Sequence, residues 1–445
     1  MIAPARRISY RILLQIAATD AHSDDLLRSP DVDALSMQDR ALTTTLVLGT
    51  LRWQLALDAQ IRALLARPET KLSAEAAIAL RMGAYQLLFL DRVPAHAVIH
   101  DAVELVKHSK ERGAAGMVNA VLRKIQSSQH RTQSAFQAHP AWMTERWVQR
   151  YGAEAAEAIC QWDQEPAGSA LRVEPGVELG GIETEPGAFL APVRRVVRGD
   201  VGRSAAVREG RVRVQDEASQ LVAEIVAAGA GTGATRLRVL DLCAAPGGKT
   251  AILAERLPNA EITAIDLSRN RLESMRRMMP EPLRARIRFE VADASKVQLQ
   301  PEWDRILCDV PCSGTGTMAR NPEIRLRVTE ADLPRQHARQ AAILRNGLRG
   351  LRPGGRLVYS TCSLEPEENE AVVAEVLGSG TEFGVTPVAR ILDRLAQAGI
   401  VTADGRNRLL SATERDFLRT LPGVHPCDGF FAAVIQREQE AGSRD

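Results

Sequence analysis

No CxxC pair occurs in this sequence, although it holds six cysteines, at positions 160, 243, 308, 312, 362 and 427. Zinc ribbons and thioredoxin-like redox sites depend on that spacing, and secreted disulfide scaffolds are shorter and denser in cysteine. A metal site and a disulfide framework are therefore not expected, and a reducing, cytoplasmic compartment is. No apolar run approaches the ~20 residues that span a bilayer, so no membrane association is expected. The helix-like stretch 8–18 is followed by Asp20, Asp24 and Asp25, so no secretory signal is read there. Lysine is scarce too, with 6 against 51 arginines. A biased genome composition explains that, and so does extended phosphate contact, because the guanidinium fork matches phosphate geometry. The net charge of +2 does not choose between the two.

What is present is an ordinary globular composition, 45% apolar and 25% charged, over 445 residues, a length that implies roughly two to three domains. Residues 1–128 show helical spacing: Ile8, Ile12, Leu13 and Ile16, then Leu42, Leu46, Val47 and Leu51, then Ile78, Met82 and Tyr85. Ser36 is placed to cap a helix, and Pro94 marks a boundary. An N-terminal all-α bundle is predicted, serving either as scaffold or as RNA contact. The polar stretch 126–139 reads as a linker. Residues 141–210, rich in turns and short β-type runs, predict a small α+β RNA-binding subdomain. Its tryptophans, Trp142, Trp147 and Trp162, fit core packing better than base stacking.

From 211 to 437 strands alternate with helices. Strands are predicted over 239–242, 261–266, 285–291, 303–310 and 355–361, with helices over 251–257, 269–279 and 335–351. That rhythm predicts a mostly parallel, Rossmann-like α/β sheet. A Gly/Ala loop is read at 227–234, a final edge strand at 430–436, and a tail after 437.

The first of these strands runs into Cys243, Ala244, Ala245, Pro246, Gly247, Gly248 and Lys249. A glycine turn between a buried strand and a helix lets backbone N–H groups approach a ligand closely. A triphosphate loop would need glycine where Cys243 stands, and GxGxxG is missing, so neither a nucleoside triphosphate nor a dinucleotide fits. Asp266 lies 25 residues after Asp241, at the next strand end, where a carboxylate accepts the ribose hydroxyls of a nucleoside. Asp293, after the third strand, is placed for an exocyclic adenine amine. Both fit S-adenosyl-L-methionine.

The fourth and fifth strands end in Asp309-Val310-Pro311-Cys312-Ser313-Gly314 and Ser360-Thr361-Cys362-Ser363. Two thiols and a carboxylate thus come to the rim where the cofactor is expected. Methylating an unactivated pyrimidine carbon needs a thiolate: sulfur adds at C6 of cytosine and makes C5 nucleophilic. An acid near N3, a role for Asp309, stabilises the charge that develops. Cys308 points to the other side of its strand and reads as core, Cys243 as lining the turn, and Cys160 and Cys427 carry no assignment.

These motifs resemble those of the RNA cytosine-C5 methyltransferases. Further upstream, Gln38-Asp39-Arg40-Ala41, Leu48-Gly49-Thr50, the run 81–87, Val93-Pro94 and the run 118–123 resemble the NusB-like RNA-binding fold. Together the chain is similar over nearly its full length to the RsmB (Sun/Fmu) family, which methylates a cytosine in 16S rRNA. The resemblance implies a multidomain protein: NusB-like bundle, small subdomain, and class I S-adenosylmethionine-dependent methyltransferase domain. It implies Cys362 as nucleophile, Cys312 as an aid to product release, Lys249 in the active-site turn and Arg271 near the cofactor. A 16S rRNA substrate, naked or in an early assembly intermediate, and a monomeric enzyme are expected. Asn321-Pro322-Glu323 departs slightly from the family, which often has Asp after the proline. Two rival readings remain: the same chemistry on tRNA, and a non-enzymatic NusB-like assembly factor.

Overall fold

A computed structural model describes residues 2–127, 134–174, 176–229, 236–378 and 380–439. Parts of the expected linker (128–133), the Gly/Ala loop (230–235) and the tail (440–445) lie outside the described residues. Contacts divide the chain into two units, Met1–Ala167 with Met318–Val328, and Gly168–Thr317 with Thr329–Asp445. The division falls after Ala167, so the helices Ala141–Tyr151 and Ala153–Trp162 pack with the helical unit, whereas the sequence reading began the small subdomain at 141.

The first unit is helical, with long helices at Pro4–Ala18, Met37–Arg52, Gln54–Leu64, Ala74–Phe89, Ala95–Lys107 and Ala115–Ser127. Pro4 stands in the first turn, where its missing N–H is not needed. The Ser36 hydroxyl accepts from the Asp39 N–H at 3.1 Å, as a cap should. Apolar faces meet in one core that includes Ile12, Leu46, Leu57, Leu80 and Leu122. Gly49 lies so close to the Tyr85 ring that a Cβ would meet it at 2.0 Å. Two of the short motifs that resemble NusB are thus a single helix crossing, possible only without a side chain at 49.

Met318–Val328 is an integral part of this unit. Arg325 is fully buried, its guanidinium donating to the carbonyls of Arg52 (2.9 Å), Ala138 (3.2 Å) and Asp163 (3.2 Å). Burial pushes it down to about 10. The buried Glu323 carboxylate accepts from the Ser23 N–H (3.0 Å) and hydroxyl (2.9 Å). Arg327 donates to the carbonyls of Thr19 (3.1 Å) and Ala21 (2.8 Å) at the end of the first helix. Glu323, which looked like a minor family departure, is therefore a buried anchor.

The second unit holds two sheets. The small one is antiparallel, with β1 (Ala170–Val173), β2 (Glu183–Pro186), β3 (Val193–Arg198) and β4 (Val212–Val214) in the order β2-β3-β1-β4. Arg172 of β1 reaches Glu224 (2.8 Å) and Glu255 (2.9 Å). Glu217 accepts the N–H groups of Ala188, Phe189 and Leu190 at 2.7–2.8 Å. Removing Arg172 would deprive the buried charge of Glu224 of a hydrogen-bonded partner.

The large sheet contains β5 (Arg238–Asp241), β6 (Glu261–Asp266), β7 (Ile287–Val291), β8 (Trp303–Asp309), β9 (Leu351–Thr361), β10 (Phe383–Thr386), β11 (Thr413–Glu414), β12 (Phe417–Thr420) and β13 (Phe430–Arg437). Its order is β11-β12-β13-β9-β8-β5-β6-β7, with β10 also paired to β13. Strands β9, β8, β5, β6 and β7 run parallel, and β13 is antiparallel to β9. Alternate residues feed two cores, Val239, Leu307 and Val358 on one face and Leu240, Ile306 and Leu357 on the other. β13 is not the edge strand that was expected. β9 covers one side, and β12 and β10 share the other. Its unbroken run Phe430–Ile435 is fully buried, which suits an interior strand. Strand order reverses at β5, and in such sheets ligands bind beyond the carboxyl ends at that switch point.

Candidate active site

The glycine turn leaves β5 at that switch point. It is pinned by the Leu242 N–H to the Leu307 carbonyl (3.0 Å) and the Ala244 N–H to the Ile265 carbonyl (2.8 Å). Asp266, at the end of β6, accepts the Ala245 N–H at 3.1 Å, while Arg271 donates to the Ala245 carbonyl at 2.6 Å. One residue is thus gripped from both sides, which places Asp266 and Arg271 at the turn. Gly247 has φ 108°, and a Cβ there would meet Met275 at 2.5 Å. A Cβ on Gly248 would meet Gln215 at 2.8 Å. The turn requires glycine at 247, and this cradle with an acidic strand end beside it fits S-adenosylmethionine.

Gly248–Arg256 is the next helix, and Lys249 in its first turn reaches across to β8. Its ammonium donates to Asp309 Oδ2 at 2.6 Å and stands 5.0 Å from the Phe430 ring centre. Asp309 Oδ1 accepts from the Ser360 hydroxyl at 2.7 Å. The carboxylate is therefore shared between the cofactor turn and β9. Because Asp309 and Ser360 are register partners, the loops after β8 and β9 emerge side by side. Cys312 Sγ and Cys362 Sγ lie 3.4 Å apart. The hydrogen bond to Cys362, burial and the charge of Glu368 push the Cys312 thiol well up. Either thiol can donate in that contact.

Asp293 has partners of its own. Asp293 is engaged by its own loop: Oδ1 accepts the Ser295 N–H (3.0 Å) and hydroxyl (2.6 Å), and Lys296 lies 3.2 Å from Oδ2. The Ser295 hydroxyl, more than any other group, holds its carboxyl down. Cys243 is in the turn, with burial pushing its thiol up, and Cys308 is fully buried in the sheet core. Gln215, Ser360, Phe430 and Glu368 were not foreseen. Pro-Cys-Ser and Thr-Cys-Ser repeat a serine after each thiol, and that repeat was the available signal. Nothing local marks Glu368 within the acidic run 365–370.

Asp241, at the end of β5, is 1% exposed and accepts from the Thr250 hydroxyl at 2.7 Å. Burial pushes its carboxyl up to about 7. The folded state then binds more protons than the unfolded chain between about pH 4 and about pH 7, so stability falls as pH rises through that window. The upper bound is ~4 kcal/mol. Without added cofactor, the melting temperature of wild type relative to Asp241→Asn is expected to drop between pH 5 and pH 8. A pH-independent difference would contradict this.

A parallel sheet reversing at a glycine turn, with an acidic second strand end and two thiols beyond it, defines an S-adenosylmethionine-dependent methyltransferase. Two family models match the chain: 16S rRNA methyltransferase RsmB/F over residues 234–436 and the NusB family over residues 3–127. A probable ribosomal RNA small subunit methyltransferase B of Bacillus subtilis is 31% identical, covering 97% of this chain and 98% of the relative. Ribosomal RNA small subunit methyltransferase B of Xanthomonas campestris is 33% identical, covering 89% of each. The chain belongs to the ribosomal RNA small subunit methyltransferase B family. Its fold matches the crystal structure of PH0851 with a TM-score of 0.79 at 22% identity, over 98% of this chain and 99% of that one. That of NSun6 from Pyrococcus horikoshii with SFG matches with a TM-score of 0.54 at 19% identity, over 68% and 99%. No described helix is long and apolar enough to cross a membrane.

Proposed function

We propose that this enzyme methylates C5 of one cytosine in 16S rRNA through a covalent Cys362–C6 adduct. The observation that carries this reading is the 3.4 Å approach of two thiols beside the Lys249–Asp309 pair. Bound S-adenosylmethionine supplies an electrophilic methyl group. Cys362, its thiol proton lost to solvent, adds to C6 as the thiolate, whose electron pair forms the S–C6 bond. The C5–C6 π electrons shift toward C4 and N3. N3 takes up a proton passed from the Lys249 ammonium through Asp309, and returns it by the same route as C4=N3 re-forms when C5 attacks the methyl group. C5 then carries both the new methyl group and its original hydrogen.

Release requires that proton to leave, so that its electron pair re-forms C5=C6 and expels Cys362 as thiolate. Cys312 is the base in this reading. Cys312, having passed its own proton to solvent, takes the one from C5. The cytosine must be unpaired or flipped out for C6 to be reached. We assign RNA contact to the NusB-like bundle and to the Arg-bearing small sheet, with naked rRNA or an early assembly intermediate as substrate.

Bisulfite sequencing of rRNA and tRNA from a deletion strain tests this. Loss of one 5-methylcytosine in 16S rRNA is expected. Loss confined to tRNA would move the same chemistry to another substrate, and no loss in either would overturn the enzymatic reading.

A further inference from the structure

Both thiol loops end on one buried carboxylate. Ser313 and Ser363 directly follow Cys312 and Cys362. Glu368 Oε1 accepts the Ser313 N–H at 2.9 Å and the Gln340 amide at 2.9 Å. Its Oε2 accepts the Ser363 hydroxyl at 2.5 Å and also the Ser313 hydroxyl. Glu368, Ser363 and Gln340 are 0–1% exposed, and the same Gln340 amide donates to the Pro311 carbonyl at 3.0 Å. A buried charge with four donors is tightly held, and so is whatever it holds.

The two loops do not depend on it equally. Cys362 follows Thr361, which is still in the β9–β13 ladder. The next residue, Asn369, ties that loop again: its side chain accepts from the Thr361 hydroxyl (2.5 Å) and donates to the Ser363 carbonyl (2.9 Å). Cys312 lies three residues beyond the end of β8, and Ser313 bonds to Glu368 and to Ser363.

We propose that Glu368 is the positioning residue for product release: by holding Ser313 against Ser363 it keeps Cys312 within reach of the adduct on Cys362. It touches neither substrate nor cofactor and acts through the serines. The inference rests on the two-thiol reading given above. A displacement of ~1 Å at a reacting group costs ~10²-fold in rate. Losing Glu368 is therefore expected to slow release while Cys362, with its own ties, still adds.

The test uses full-length protein, unmethylated 16S rRNA transcript and S-adenosylmethionine, with Cys312→Ala as reference. First-turnover methyl transfer and denaturant-stable protein–RNA adduct are followed together. For Glu368→Ala the first turnover should stay within ~3-fold of wild type while steady-state turnover falls ~10²-fold and methylated adduct accumulates. Glu368→Gln, which keeps one acceptor and can still bond both serines, should restore most of the turnover. Ser313→Ala, a milder change, should show the same accumulation if Glu368→Ala proves poorly folded. If Cys312→Ala traps adduct but neither Glu368→Ala nor Ser313→Ala does, the positioning role is overturned and the thiol reading stands. If Cys312→Ala traps nothing, the thiol reading falls and this inference falls with it.

Discussion

Cys362→Ala is expected to lower methyl transfer by ~10⁴-fold or more, with no adduct formed and RNA affinity unchanged. Without sulfur at C6, C5 has no enamine character, and a well-placed methyl donor has nothing to react with. The neighbouring thiol does not substitute, because Cys312 sits on a different loop with its sulfur 3.4 Å from the one that adds. Cys312→Ala should behave differently. Addition and methyl transfer proceed once, and the enzyme then stays bound to its methylated product. The two variants thus separate in a single-turnover assay read on a denaturing gel. Cys362→Ala gives neither methyl nor adduct, and Cys312→Ala gives both. Adduct with Cys362→Ala and none with Cys312→Ala would reverse the roles.

Asp266→Ala is expected to weaken S-adenosylmethionine binding by ~100-fold, equivalent to ~3 kcal/mol, with kcat at saturating cofactor within a few-fold. The carboxylate is 5% exposed and has two duties. In the proposed reading it accepts ribose hydroxyls, and it accepts the Ala245 N–H that orients the turn. Its loss also leaves Arg271, 3.8 Å away, without its ion-pair partner. Asp266→Asn keeps an acceptor and should lose less. Isothermal titration with cofactor, beside KM and kcat, separates binding from chemistry. An unchanged affinity in Asp266→Ala would place the ribose elsewhere.

The sheet and its rim were largely legible in the chain. Buried parallel strands are short apolar runs, and β5, β6 and β8 each end in Asp. The cysteine motifs were legible because Pro-Cys and Thr-Cys stand directly after such strands. A strand-end carboxylate is also a good turn cap, and Asp293 takes that duty too, through Ser295 and Lys296. Other features rest on partners distant in sequence. Arg325 is recognisable as an anchor only once the carbonyls of Arg52 and Asp163 surround it. β13 reads as an edge from its place near the end of the chain, yet it pairs on both sides. Glu368 is one acid among several until the fold brings Ser313 and Ser363 to it.

RNA carrying 5-fluorocytidine tests the covalent account most directly. Fluorine at C5 cannot leave as a proton does, so wild-type enzyme that adds sulfur at C6 and transfers its methyl group stays attached. Mass spectrometry of the digested adduct should find the nucleotide on the peptide that carries Cys362. Attachment through Cys312, or methylation of the unmodified transcript with no adduct from the fluorinated one, would contradict it.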